Sequence, residues 1–91
     1  MSQVSLVGVP KNVTATGTVT TASGRLLGFY VNSTTAGTIV INTQANKTPA
    51  AISGTITPAI GWHKFPAVYT DGLSVTIGGT LNVTLFVQEG L

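Results

Sequence analysis

Few side chains in this 91-residue chain could move a proton, attack a carbon or hold a metal. His63 is the one histidine, Asp71 and Glu89 are the only acids, and Lys11, Arg25, Lys47 and Lys64 are the only bases. A serine–histidine–acid relay would have to use His63 as the base, Asp71 as the group that orients it, and one of several serines as the nucleophile. No G-x-S-x-G elbow is present to present such a serine. Glycoside hydrolysis would need Asp71 and Glu89 on either side of one sugar, and Glu89 falls in a stretch that reads as a frayed C-terminus. One histidine, two acids and no cysteine cannot close a metal site within a single chain. Three copies of His63 on a trimer axis could, but a surface or interface histidine is the simpler reading. The sequence therefore predicts no catalytic residue, no metal site and no cofactor.

The remaining chemistry is aromatic and hydroxylic. Trp62, Phe65 and Tyr69 form one aromatic cluster in the sequence. It reads either as a stacking or partner-binding patch or as a core plug closing one end of the fold, and the plug is favoured because large aromatics dominate small cores. Thr14, Thr16, Thr18 and Thr20 alternate along one segment and read as a solvated or intersubunit strand face. Asn12, Asn32, Asn46 and Asn82 each open an N-x-S/T pattern, which a threonine-rich chain produces by chance.

The elements that would position these groups are strands. Charged residues make up 7% of the chain against about 25% in ordinary soluble domains, while 43% are hydrophobic. Disorder, which needs low hydrophobicity and high net charge, is excluded, and so is a long helical bundle. No window carries an i, i+3, i+4, i+7 apolar stripe. A net charge of +2 from four scattered cations makes no phosphate-binding stripe, so no nucleic-acid partner is expected. The longest apolar run, near Leu26–Val31, is far short of the ~20 residues that cross a bilayer as a helix. With no targeting signal at Met1–Pro10, a soluble product of a cytoplasm, without membrane contact, is expected.

Residues 1–11 read as an N-terminal arm or an edge strand, with Pro10 confining them to an edge. Residues 12–91 read as one domain. Within it, 12–21 alternate as a strand and Ala22–Gly24 as a turn. Residues 25–32 follow as a strand with Leu27, Phe29 and Val31 on one face. The cluster Asn32–Gly37 predicts a hairpin turn to a strand at 38–43, pairing Val31 with Ile39. Gln44–Pro49 reads as a loop, 52–57 as a strand, 62–68 as a short strand or edge segment divided by Pro66, and Tyr69–Gly72 as a turn. At the end, Leu73, Val75 and Ile77 share a face, as do Leu81, Val83, Leu85 and Val87. A two-residue Gly78–Gly79 hairpin would set apolar against polar residues. A three-residue loop pairing Ile77 with Leu81, or an arch between two sheets, is predicted instead. Seven or eight short strands result, which predicts an all-β fold: a small antiparallel β-sandwich, jelly-roll-like.

A domain this small, with no disulfide or metal, recovers little net stability from its own core. Its charge-poor surface protects weakly against association. Oligomerisation or docking on a larger body is the expected remedy.

Several segments resemble small virion proteins of tailed bacteriophages. They are Gly24-Arg25-Leu26-Leu27-Gly28-Phe29-Tyr30-Val31-Asn32-Ser33 with Gly37-Thr38-Ile39; Ile52–Pro58 leading through Gly61-Trp62 and Phe65-Pro66 to Gly72-Leu73; and Val75-Thr76-Ile77-Gly78-Gly79-Thr80-Leu81-Asn82-Val83-Thr84. The resemblance spans residues 24–87. It implies a capsid decoration or cement protein with a jelly-roll-like sandwich, bound to the major capsid protein on the outer capsid of the virion, bridging capsomers as a trimer or dimer, after synthesis in the bacterial host cytoplasm. It implies no catalytic residues. A head-fibre base or tail component is also compatible with so short a chain. The runner-up reading is a carbohydrate- or receptor-binding module of a phage fibre or tail, with Trp62, Phe65 and Tyr69 as its platform.

Overall fold

The computed structural model of the chain describes residues 8–43 and 50–89. They form an all-β structure without helices, in one antiparallel sheet. The named strands are β1 (Val9–Val13), β2 (Gly17–Thr20), β3 (Gly24–Thr43), β4 (Ala50–Ala51), β5 (Gly61–Tyr69) and β6 (Leu73–Glu89).

Two long strands dominate. β3 and β6 pair antiparallel from Gly24↔Glu89 to Thr43↔Leu73. β1 and β2 lie one after the other along the free side of β6, while β5 and β4 do the same along β3. A bridge between Ile39 and Ile56 extends the β4 side.

The pairing explains itself through burial. In β6 every odd position from Leu73 to Val87 except Ile77 and Gly79 is a buried apolar residue, and the partners in β3 are apolar too: Ile41 opposite Val75, Val31 opposite Val83, Phe29 opposite Leu85, Leu26 opposite Val87. Each fully buried side chain of this size contributes about 1.5–3 kcal/mol. The register that unites these residues therefore outcompetes any local hairpin.

This overturns both predicted hairpins. Val31 does not pair with Ile39: it lies between Val83 and Gly61, and Ile39 lies opposite Ile77. Residues 73–77 and 81–87 are one continuous strand, so neither the three-residue loop nor the arch forms. The turn residues still mark geometry. β3 has 20 residues against 17 in β6, and the excess is taken up by three irregularities in register, at Leu27, Asn32 and Ala36–Gly37. Such bulges bend a strand and increase its twist. The third is the sharpest: Ala36 has φ 52° and Gly79, opposite it, φ 65°, while the Thr34 hydroxyl accepts the Gly37 N–H at 3.0 Å. A straight 20-residue strand would span roughly 63 Å at ~3.3 Å per residue. The longest extent of the molecule is 44 Å, so β3 is strongly bent.

Bulges also shift alternation. Leu27 is displaced from the inward face it shares in the sequence pattern with Phe29 and Val31, and Leu26 is buried instead. The expected strand at 12–21 breaks at 14–16 into β1 and β2. The expected strand at 52–57 is irregular, held to β3 by Ile52 N–H donating to Ile41 O at 2.8 Å and by the Ser53 hydroxyl accepting the Ile41 N–H at 2.9 Å. Glu89 ends β6 with its backbone opposite Gly24 and is not frayed. Pro10 does sit in an edge strand, since β1 pairs with β6 alone among the described strands. The rest of the expected N-terminal arm and the predicted 44–49 loop lie outside the described residues.

Candidate functional site

β5 is the strand that positions the sequence-predicted site. It is unbroken over nine residues, and Pro66 falls at its register irregularity, where a missing N–H is tolerated. Strict alternation then separates the three aromatics. Phe65 and Tyr69 face inward: Tyr69 is 2% exposed and Phe65 packs against the core. Trp62 faces outward and is 51% exposed. The core plug and the exposed patch are therefore both present, in different residues.

His63 follows the inward set. Its ring stacks on Phe29 with centroids 5.2 Å apart, and Nε2 lies 2.7 Å from the Ala59 carbonyl oxygen, which requires Nε2 to carry a proton and donate. Asp71 lies past the far end of β5, in the exposed turn before β6. Tyr69 lies six residue steps along β5 from His63, about 20 Å of extended chain, so the His63–Asp71 pair that a relay requires does not assemble. Among the described residues no group of three or more His, Asp or Glu side chains comes together. His63 instead fastens the 58–60 segment to the sheet. His63→Ala is expected to cost about 1–2 kcal/mol through the lost hydrogen bond and ring contact; a urea denaturation midpoint unchanged from the parent would contradict this.

The outward face near Trp62 is built from four strands. Asn12 of β1, Thr84 of β6, Tyr30 of β3 and Trp62 of β5 stand in one row across the sheet. Successive strands are ~4.8 Å apart, so the row is about 14 Å long. At the β5 end the Trp62 ring meets Phe86 edge-on, with centroids 5.6 Å apart. Gly28 makes this possible: a Cβ there would lie 2.7 Å from Trp62 Cη2 and 2.5 Å from the His63 carbonyl oxygen, so the tryptophan ring needs a residue without a side chain beneath it. Tyr30, its neighbour in the row, is 43% exposed.

At the β1 end the face is polar. Asn12 Nδ2 donates to Asn82 Oδ1 at 2.8 Å and to Thr84 Oγ1 at 3.2 Å. Asn32 Nδ2 donates to the same two acceptors at 3.2 and 3.0 Å. Two amide groups thus share two acceptors, and Asn12 Nδ2 also reaches the Val83 carbonyl oxygen at 3.3 Å. The amide oxygens of Asn12 and Asn32 and the amide hydrogens of Asn82 remain uncommitted among the described hydrogen bonds. Three of the four N-x-S/T asparagines therefore converge on one surface. The sequence held a signal for this, because an Asn and a Thr two apart on a strand point to the same face. Tyr30 and Phe86 had no such signal.

A second polar feature lies on the outward face at the other end of the sheet. A recess of about 150 Å³ is lined by Thr16, Thr18, Asn42, Ser74 and Thr76 among others. Asn42 Nδ2 donates to Thr76 Oγ1 at 3.2 Å, and the buried Ser74 hydroxyl has no hydrogen-bond partner among the described residues. Two members of the predicted threonine row thus line a recess, and the row does not form one continuous strand face.

Comparison with known proteins adds no relative: the chain matches no protein-family model, no curated protein and no solved structure. No helix among the described residues is long and apolar enough to cross a membrane.

Proposed function

We propose that this chain is a non-enzymatic structural protein of a tailed-bacteriophage virion, a decoration or cement protein that binds the outer capsid and stabilises contacts between capsomers. The major capsid protein is its partner, and the chain associates with itself as a dimer or trimer. Its body is a two-layer, jelly-roll-like sandwich in which the bent halves of β3 and β6 face each other. That arrangement accounts for the near-complete burial of one sheet face despite the absence of helices among the described residues.

The observation that carries the reading is the state of the sheet edges. β1 and β5 each pair on one side only among the described strands, and both carry large exposed apolar side chains: Val9 on β1, Trp62 and Val68 on β5, with Ile60 just before it. Monomers usually protect such edges with charge. Here the β1 and β5 strands contribute only Lys11 and Lys64. A surface with little charge and exposed apolar edges suits permanent attachment to a larger body. The resemblance of residues 24–87 to phage virion proteins indicates which body.

Particles assembled with and without the chain test this. The chain is expected to co-purify with particles in many copies, and particles lacking it are expected to rupture at lower temperature or on transfer to low salt. Equal rupture thresholds, or a few copies per particle, would reject cementing.

A further inference from the structure

We infer that the outward row Asn12–Thr84–Tyr30–Trp62, with Asn32, Asn82 and Phe86 beside it, is a binding surface for a neutral glycan. This goes beyond attachment to a capsid, and it concerns the outward face of the sheet, which shares Trp62 with the β5 edge.

The chemistry is divided as a sugar is divided. A pyranose presents an apolar face of C–H groups and a rim of hydroxyls. The C–H face carries partial positive charge and packs on the negative face of an aromatic ring. Trp62 and Tyr30 are adjacent in register and half-exposed, so two aromatic side chains rise from neighbouring strands at one end of the row. The hydroxyl rim needs groups that both donate and accept, and amides do both. At the other end, Asn12, Asn32 and Asn82 offer two uncommitted carbonyl oxygens and one uncommitted NH2.

The surface is also held in shape before anything binds. The shared hydrogen bonds fix the three asparagines against Thr84, and Phe86 and Gly28 fix the Trp62 ring. Preorganisation of this kind lowers the entropic cost of binding. Its length of about 14 Å, three strand spacings, suits a short oligosaccharide and not a monosaccharide. No acidic residue stands in the row or beside it. Of the bases, Lys64 stands next to it on the same face, and Arg25 is engaged with Gln88 Oε1 at 2.7 Å. A protein partner would favour an apolar patch along the whole row. Beyond the two aromatic residues the row continues instead in the amide and hydroxyl side chains of Thr84, Asn12, Asn32 and Asn82.

Trp62 is the only tryptophan of the chain, so its fluorescence reports on this surface alone. The full-length protein, free of particles, is titrated with maltohexaose, mannopentaose and chitohexaose. A saturable change in emission with at least one of them is expected. Tyr30→Ala should weaken that binding at least 10-fold, as should the pair Asn12→Ala and Asn32→Ala, with the parent's circular dichroism retained. Trp62→Phe, followed by calorimetry, should retain part of the binding and Trp62→Ala should lose it. No saturable response to any of the three oligosaccharides would overturn the inference. Binding confined to a heparin hexasaccharide and abolished by 0.5 M salt would also overturn it, reassigning the surface to its cations. So would loss of particle attachment in Trp62→Ala without any oligosaccharide binding by the parent, because the surface would then belong to a protein partner. Particle attachment is read separately, so failure here leaves the cement reading standing, and the reverse holds.

Discussion

Gly79→Val is expected to lower the melting temperature more than any other single substitution considered for this chain. The backbone at Gly79 has φ 65°, a left-handed conformation that β-branched residues rarely adopt. A Cβ at this position would also overlap the Ala36 carbonyl oxygen and lie 3.0 Å from its carbon and 3.3 Å from Gly37 Cα. These are backbone atoms at the sharpest bend of the opposing strand, so they cannot rotate out of the way. Either the bend opens or β3 and β6 separate locally. Strain and steric conflict together should cost at least 3 kcal/mol. Total stability for a chain of this size is about 5–13 kcal/mol, and each kcal/mol lowers Tm by about 4–8 °C. A fall in Tm of more than ~12 °C is therefore expected by differential scanning calorimetry. Gly17→Ala is the control. No atom lies within 4 Å of a Cβ there and φ is not positive. It should change stability by less than about 1 kcal/mol, with a gain as the expected sign. Equal melting temperatures for Gly79→Val and the parent would show that the long strands do not turn at this point.

Phe29→Ala is expected to have the next largest effect. Phe29 is 1% exposed, lies opposite Leu85 on one side and His63 on the other, and stacks on the His63 ring. Truncation removes the transfer free energy of the ring and leaves a cavity between two bent strands that cannot easily collapse. Such substitutions cost about 3–5 kcal/mol. The measurement is the urea midpoint, with an unchanged m-value as evidence that the folded body is retained. Trp62→Ala provides the contrast, since half of its surface is already in water. Its cost should stay near 1 kcal/mol, mainly the lost contact with Phe86. If Trp62→Ala proved as damaging as Phe29→Ala, the ring would be a structural plug, and the outward row would lose its binding role.

The difference between these two aromatics shows what alternation can and cannot reveal. A strand through residues 61–69 puts Trp62 on one face and Phe65 and Tyr69 on the other by alternation alone, and the alternation runs unbroken through Pro66. The irregularity at Pro66 changes only the register of β5 against β3. The sequence treated the three as one cluster because they are close in the chain. The sheet separates them because successive strand residues point to opposite faces. The same mechanism explains Leu26 and Leu27. Period-two reading assigns Leu27 inward with Phe29, and one extra residue in β3 exchanges the two.

Other features were legible from the residues alone. The all-β class followed from threonine, valine and isoleucine alternation and from the lack of any helical stripe. Two of the three irregularities in β3 fall in Asn32–Gly37, which the residues marked as a turn, and the one at Leu27 had no such mark. The scarcity of groups for acid–base work followed from a count, since composition does not change on folding. The convergence of Asn12, Asn32 and Asn82 was hidden, although each was visible, because they are brought together from positions 20 to 70 residues apart in sequence.

By itself, then, the order of residues determined strand character, the spots where the chain must change direction, and the poverty of ionisable groups. All three depend on local sterics or on simple inventory. Only the tertiary structure decided that those changes of direction are bends in two long strands and not hairpins, and that Trp62 stands apart from Phe65 and Tyr69. Pairing partners are chosen by the total apolar surface they bury together, a quantity that belongs to distant segments jointly and is written in neither one.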